Sequence, residues 1–108
     1  MYNGSKEAAR ALTRTAAAEW GRYGITCNVL CPFAASPPWE LFERFDPESA
    51  RLIVEGNPIP RVGDPEADIG PVAVFLACDE SRFLTGNTIH VDGGGHINGV
   101  AWKFELPE

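Results

Sequence analysis

The sequence is short of the residues that build disulfide frameworks, metal fingers and basic binding faces. Of 108 residues only three are cysteines, two are histidines and nine are Lys or Arg. Cys27, Cys31 and Cys78 are too few, and oddly numbered, for a disulfide framework. Fifteen acidic residues outweigh the bases and give a net charge of -6. Without a basic patch, phosphate contacts have no electrostatic support, so nucleic-acid binding is not expected. No apolar run approaches the 18 or so residues of a membrane span. The start has no basic region followed by an apolar block, so no secretory leader is expected, and a reducing cytoplasm is the default setting. Glycine and proline are plentiful, at eleven and nine, but neither is periodic nor low in complexity. The length fits one domain at most.

Residues 3–23 are rich in alanine, the best helix former. Ala8, Leu12, Ala16, Trp20 and Tyr23 recur every three or four positions, which predicts one apolar helical face ended at Gly24. Residues 25–31, ITCNVLC, predict a strand covered on both faces, with Asn28 as its polar exception. The proline-rich stretch 33–63 predicts two short helices near 38–45 and 47–55, with Pro38 and Pro47 in their first turns and Asp46 as a cap. A third long helix is predicted over 65–78, opened by Asp64 and Pro65 and bent at Pro71. Residues 87–91 predict the last strand, closed by Gly93, Gly94 and Gly95. The tail 96–108 carries Ile97, Val100, Trp102, Phe104 and Leu106 and is expected to pack. Two strands joined by a long crossover do not make a stable sheet by themselves. The pattern is α/β, with two strands and three main helices, and reads as part of a larger parallel sheet.

Tyr2 and Lys6 are four apart at a helix start, on one face. A tyrosine beside an ammonium suits proton transfer to a carbonyl oxygen or from an alcohol, because the cation favours the phenolate. Cys27 and Cys31, four apart in one strand, stand about 13 Å apart and can neither bond nor share a metal. Cys78, His90 and His96 show no ligand spacing, and no metal site is predicted. Asp92 is expected to hold a tight turn.

The run YNGSKEAARALTRTAAAEWGRYGITCNVLCP resembles the catalytic helix and following strand of the short-chain dehydrogenase/reductase family. NPIPRVGDPEADIGPVAVFLACDESRFLTGNTIHVDGG resembles that family's final helix and last strand. The resemblance implies the C-terminal part of a doubly wound Rossmann-type sheet that moves a hydride between NAD or NADP and a carbonyl or alcohol. It implies Tyr2 as general acid/base, and Lys6 as its partner and a ligand of the nicotinamide ribose. It places Pro32, Phe33 and Ser36 along the nicotinamide and gives Asn28 a structural role. Trp39, Phe42 and Phe45 then either line an apolar substrate pocket or form local core. The helix of Tyr2 also resembles the family's dimer-forming helix, with Ala8, Ala9, Ala16 and Ala17 allowing close approach.

The family's glycine-rich phosphate loop, the residue selecting NAD or NADP, the catalytic serine and an upstream asparagine have no counterpart here. Pro32-Phe33 stands where Pro-Gly is usual, and Pro37 where a threonine contacts the nicotinamide amide. The resulting expectation is part of an NAD(P)-dependent oxidoreductase, inactive and without bound cofactor as this chain alone. A homo-oligomer or a complementary N-terminal chain would be its partner. The other reading is a non-catalytic truncated protein serving as an oligomerisation or interaction module.

Overall fold

The computed structural model describes residues 1–97. The predicted packing of the tail at Val100, Trp102, Phe104 and Leu106 lies outside the described residues. The first element is helix α1 (Tyr2–Trp20), extended by one 3-10 turn at Gly21–Tyr23. Gly24 then takes φ 78°, the left-handed conformation that ends the helix. The α-helix is thus three residues shorter at its C-terminal end than the periodicity predicts.

Strand β1 covers Val29–Pro32, not 25–31. Residues ahead of it are held by other means. Cys27 N–H donates to Thr85 Oγ1 at 3.0 Å, and Gly86 N–H donates to the Cys27 carbonyl at 2.7 Å. Backbone groups committed to side chains and turns do not join a ladder. Helix α2 (Pro37–Phe45) and helix α3 (Pro47–Gly56) follow. Ser36 caps the first through Trp39 N–H and Asp46 caps the second through Ser49 N–H.

The single helix predicted over 65–78 is two pieces. Pro65–Ile69 is a π-turn, and α4 runs only from Gly70 to Leu76. Pro71 has no N–H to return to the Ala67 carbonyl, and the turn before it widens. Strand β2 (Thr88–Val91) then lies parallel to β1, with Val29 opposite Thr88 and Pro32 opposite Val91. A parallel bridge between Ala34 and Gly63 continues the line beyond β1.

The described residues form one two-stranded parallel sheet, open on both outer edges. The hydrophobic core is very small: among the described residues Ala17 and Ala50 are the only buried apolar ones. Of the predicted apolar face of the first helix, Leu12 and Tyr23 point outward, 71% and 65% exposed, and Ala16 is half-covered. The covered side carries Arg10, Thr13, Ala16 and Ala17. Ala17 faces Gly86, where an added methyl would stand 3.7 Å from its own. No helix among the described residues is long and apolar enough to cross a membrane.

Candidate functional site

The first turn of α1 places Tyr2 and Lys6 one above the other. Lys6 Nζ lies 5.5 Å from the centre of the Tyr2 ring, within cation–π reach. Both line an open groove of about 660 Å³ between α1 and β1, shared with Asn3, Arg10, Cys31 and Pro32. The far wall is the backbone and side chains of β1 from Val29 to Pro32. Tyr2 is 73% exposed, so its hydroxyl is open to a ligand in the groove. Arg10 reaches across and donates from Nη2 to Cys31 Sγ at 3.5 Å.

The other residues singled out in the sequence are placed elsewhere. Phe33 is not among the groove's lining residues. Its N–H donates to the Val91 carbonyl, and its ring meets Trp39 edge-on at 4.9 Å. It has no positive φ, and so carries no strain where the family pattern has glycine. The Ser36 hydroxyl is engaged as the α2 cap, accepting from Trp39 N–H at 3.3 Å. Trp39 and Phe42 pack at 5.6 Å, whereas Phe45 is 89% exposed and apart from them. Trp39 Nε1 is buried without a hydrogen-bond partner. Such an orphan donor is the one polar handle on this aromatic cluster.

Asn28 joins the two strand entrances. Its Nδ2 donates to the Leu84 carbonyl at 2.9 Å, and its Oδ1 accepts from Asn87 N–H at 3.1 Å. Cys27 and Cys31 are half-buried and Cys78 is exposed.

The histidines end up together. Asp92 accepts from Gly94 N–H at 3.0 Å and from His96 N–H at 2.9 Å, which turns the chain back on itself. His96 Nδ1 lies 3.0 Å from Asp92 Oδ1, and the His96 ring stacks on His90 at 4.1 Å. Burial opposes ionisation of the Asp92 carboxyl, but the bonds from His96 and Gly94 prevail and hold it below the usual carboxylate range. Spacing alone does not reveal this grouping. The usable cue is the run Gly93-Gly94, whose φ values of 64° and 90° reverse the chain between the histidines. The turn is clamped from the other side: Asn57 Nδ2 donates to the Asp92 carbonyl and Ile59 N–H to the Gly93 carbonyl.

The groove's size and the Tyr2–Lys6 pair suit the nicotinamide-ribose end of a dinucleotide. Among the described residues no glycine-rich turn opening a helix is available for the pyrophosphate, since Gly93–Gly95 lead only into a single 3-10 turn, Gly95–Ile97.

Comparison with known proteins gives a consistent answer. The sequence model of the family described as Enoyl-(Acyl carrier protein) reductase matches residues 1–96. The 12alpha-hydroxysteroid dehydrogenase of Clostridium sp. is 41% identical over 93 residues, covering 86% of this chain and 36% of that protein. An oxidoreductase of the short-chain dehydrogenase/reductase family from Burkholderia thailandensis superposes with TM-score 0.80 at 31% identity, over 90% of this chain and 38% of its own. YwfH, an NADPH-dependent reductase involved in bacilysin biosynthesis, superposes with TM-score 0.75 at 29% identity, over 82% and 37% of the two chains. The chain thus spans little more than a third of the length of the curated relatives it matches. With α/β architecture, a parallel strand pair and a matched family over nearly all its described residues, the chain belongs to the short-chain dehydrogenase/reductase family.

Proposed function

We propose that this chain carries the acid/base and substrate-facing part of an NAD(P)-dependent oxidoreductase acting on a carbonyl or alcohol. One observation supports this most: Tyr2 and Lys6 share a groove with the C-terminal end of β1. In open α/β sheets, ligands sit outside the carboxyl ends of the strands. When bound, the nicotinamide supplies or accepts the hydride. Tyr2 gives a proton to the carbonyl oxygen during reduction and takes it back during oxidation. Lys6 sets its Nζ 5.5 Å from the ring centre and offers donors to a ribose hydroxyl. Pro32 forms the groove's end, and Phe33 and Ser36 shape the loop leaving it. Trp39, Phe42 and Phe45 supply apolar surface for the substrate, with Trp39 Nε1 as an unused donor.

The pyrophosphate and adenosine need a cradle that these residues do not provide. On this reading the cradle comes from a complementary chain or segment, and the chain alone is inactive. The test is a titration with NADPH and NADH, followed by cofactor fluorescence, first with the purified chain and then with the complementary part added. Binding and carbonyl reduction are expected only in the second case. Tyr2→Phe should then lower turnover by about 10²–10⁴-fold, the usual share of a positioned acid/base. Submillimolar binding by the chain alone, or a Tyr2→Phe variant with full activity, would overturn the reading.

A second reading is favoured by the large apolar side chains left exposed. Among the exposed large residues are Leu12, Leu41, Phe45, Leu52 and Phe83. Association with another copy, without catalysis, would cover such surface equally well. A stoichiometric complex of identical chains that neither binds nor turns over cofactor, with or without the complementary part, would favour this second reading.

A further inference from the structure

His90, Asp92 and His96 lie outside the Tyr2–Lys6 groove and have no part in the proton transfer. One donor atom from each falls within 4.8 Å of the other two. Donors around a tetrahedral first-row ion, each bonded at about 2.0–2.1 Å, stand about 3.3 Å from one another. Here Asp92 Oδ2 is 3.2 Å from His96 Nδ1 and 3.9 Å from His90 Nδ1. The first pair already has the required spacing and the second is about half an ångström wide of it.

The rings stand 9° from parallel, so neither plane points at a common centre. Each imidazole must turn about χ2 to bond one ion, and that torsion is broad rather than staggered. Both side chains are part-exposed, His90 at 29% and His96 at 40%, and the turn exchanges their mutual stacking for bonds to the ion. The carboxylate between them is the fixed part. Asp92 is 14% exposed and anchored by two backbone N–H groups. Its own segment is pinned to Asn57 and Ile59. A methyl group on Gly94 would come within 2.9 Å of Pro58, so the turn and its clamp fit closely.

We propose that His90, Asp92 and His96 form a binding site for one divalent first-row transition ion of the zinc class, through two imidazole nitrogens and one carboxylate oxygen. Two histidines and a carboxylate are a recurrent three-ligand set for zinc. Imidazole and carboxylate without thiolate exclude the soft, cuprous class. All three residues also line a cleft of about 330 Å³ with Arg61, Asp68 and Ile59. The fourth ligand position therefore opens into the cleft, where water or a small anion can enter. The donated bond from the His96 ring to Asp92 is lost on binding and replaced by two nitrogen–metal bonds and one oxygen–metal bond, with release of any proton held on the donor atoms.

The test is a titration of the tag-free chain with Co²⁺, read by visible absorption, followed by displacement with Zn²⁺. One Co²⁺ per chain is expected, with d–d bands, no sulfur charge-transfer band, and full displacement by Zn²⁺. His90→Gln and His96→Gln should each weaken binding by at least the tenfold that losing even a supporting partner costs. Both positions are solvent-accessible, so folding is expected to survive, and circular dichroism checks it. Should either variant unfold, broadening of the two imidazole ring-proton signals by Co²⁺ in the unaltered chain decides the matter. Changing Cys27, Cys31 and Cys78 to serine should leave the affinity unaltered. Three results would overturn the proposal: binding that survives both histidine changes, binding lost with the cysteines, or no saturation below about 1 mM ion.

Discussion

Replacing Asn28 with alanine is expected to loosen the entrance to the sheet. The side chain makes three bonds: Nδ2 to the Leu84 carbonyl at 2.9 Å, and Oδ1 to Asn87 N–H at 3.1 Å and to Asn87 Nδ2 at 3.2 Å. The Asn87 carbonyl in turn accepts Val29 N–H at 2.8 Å, the bond that opens the ladder. A net hydrogen bond contributes about 0.5–1.5 kcal/mol. Water replaces the bonds to the exposed Asn87 more readily than the half-buried one to Leu84, so the loss comes to about 2 kcal/mol. That is a large part of a small domain's stability. The measurement is urea unfolding by circular dichroism at one protein concentration, since association changes the apparent midpoint. The midpoint should fall with little change in slope, and the Asn87 and Val29 amides should exchange faster. Asn28→Asp separates the two ends of the amide. It keeps the acceptor for Asn87 but turns a carboxylate oxygen toward the Leu84 carbonyl, so it should cost more than alanine at pH 7. An alanine variant within about 0.5 kcal/mol of the parent, the range of an ordinary surface change, would refute the reasoning.

Gly63→Ala should destabilise by about 1–3 kcal/mol, because the new Cβ would stand 2.5 Å from the Phe33 carbonyl oxygen in the Ala34–Gly63 bridge; urea unfolding checks it. Asp68 carries a pH dependence. Arg61 grips its carboxylate at 2.5 and 2.8 Å and Asp64 N–H adds a third bond, which holds its folded pKa far below the ordinary value. The unfolded chain therefore takes up this proton first, so the contribution is present above about pH 4 and lost as pH falls further. In Asp68→Asn that part of the acid slope should vanish, as read from the urea midpoint between pH 3 and 7. Sedimentation of the purified chain should show association rather than a compact 11.7 kDa monomer, and such a monomer would contradict the reading of its exposed surface.

Local chemistry was the most legible part of the sequence. Asp46 begins α3 as expected, a short acceptor side chain ahead of a proline, whereas Ser36, expected along the nicotinamide, also serves as the cap of α2. The direction in which α1 faces was not legible. Leu12, Trp20 and Tyr23 form most of the apolar stripe that periodicity finds, yet among the described residues the contacts of α1 lie on another side, where Arg10 reaches Cys31 and Ala17 meets Gly86. A hydrophobic stripe says that something covers it, not that this chain does. The strand at 25–31 was misjudged for a different reason: its first half spends its backbone on Thr85 and Gly86, which are almost 60 residues away. In the site, Tyr2 and Lys6 could be paired by counting, because a helix fixes their separation. His90 and His96 could not, because their meeting depends on two glycines at positive φ and on the acceptor between them.

The clamp that seats Asn57 on the Asp92 carbonyl has a consequence for how quickly the sheet can form. Asn28 and Asn87, at the strand entrances, are 59 positions apart, and β1 cannot meet β2 until that length of chain has closed. Contacts this remote slow folding, because the closure entropy is spent before the ladder gives anything back. Asn57 and Asp92 are only 35 positions apart. Closing that shorter loop costs about 0.5 kcal/mol less, and it draws the end of β2 toward the segment that Gly63 will bridge to Ala34. The turn at Asp92 thus offers the chain an earlier closure than the strands do. If it forms first, weakening it should slow folding itself, while the Asn28 contact, made later, should act mainly on the rate of unfolding.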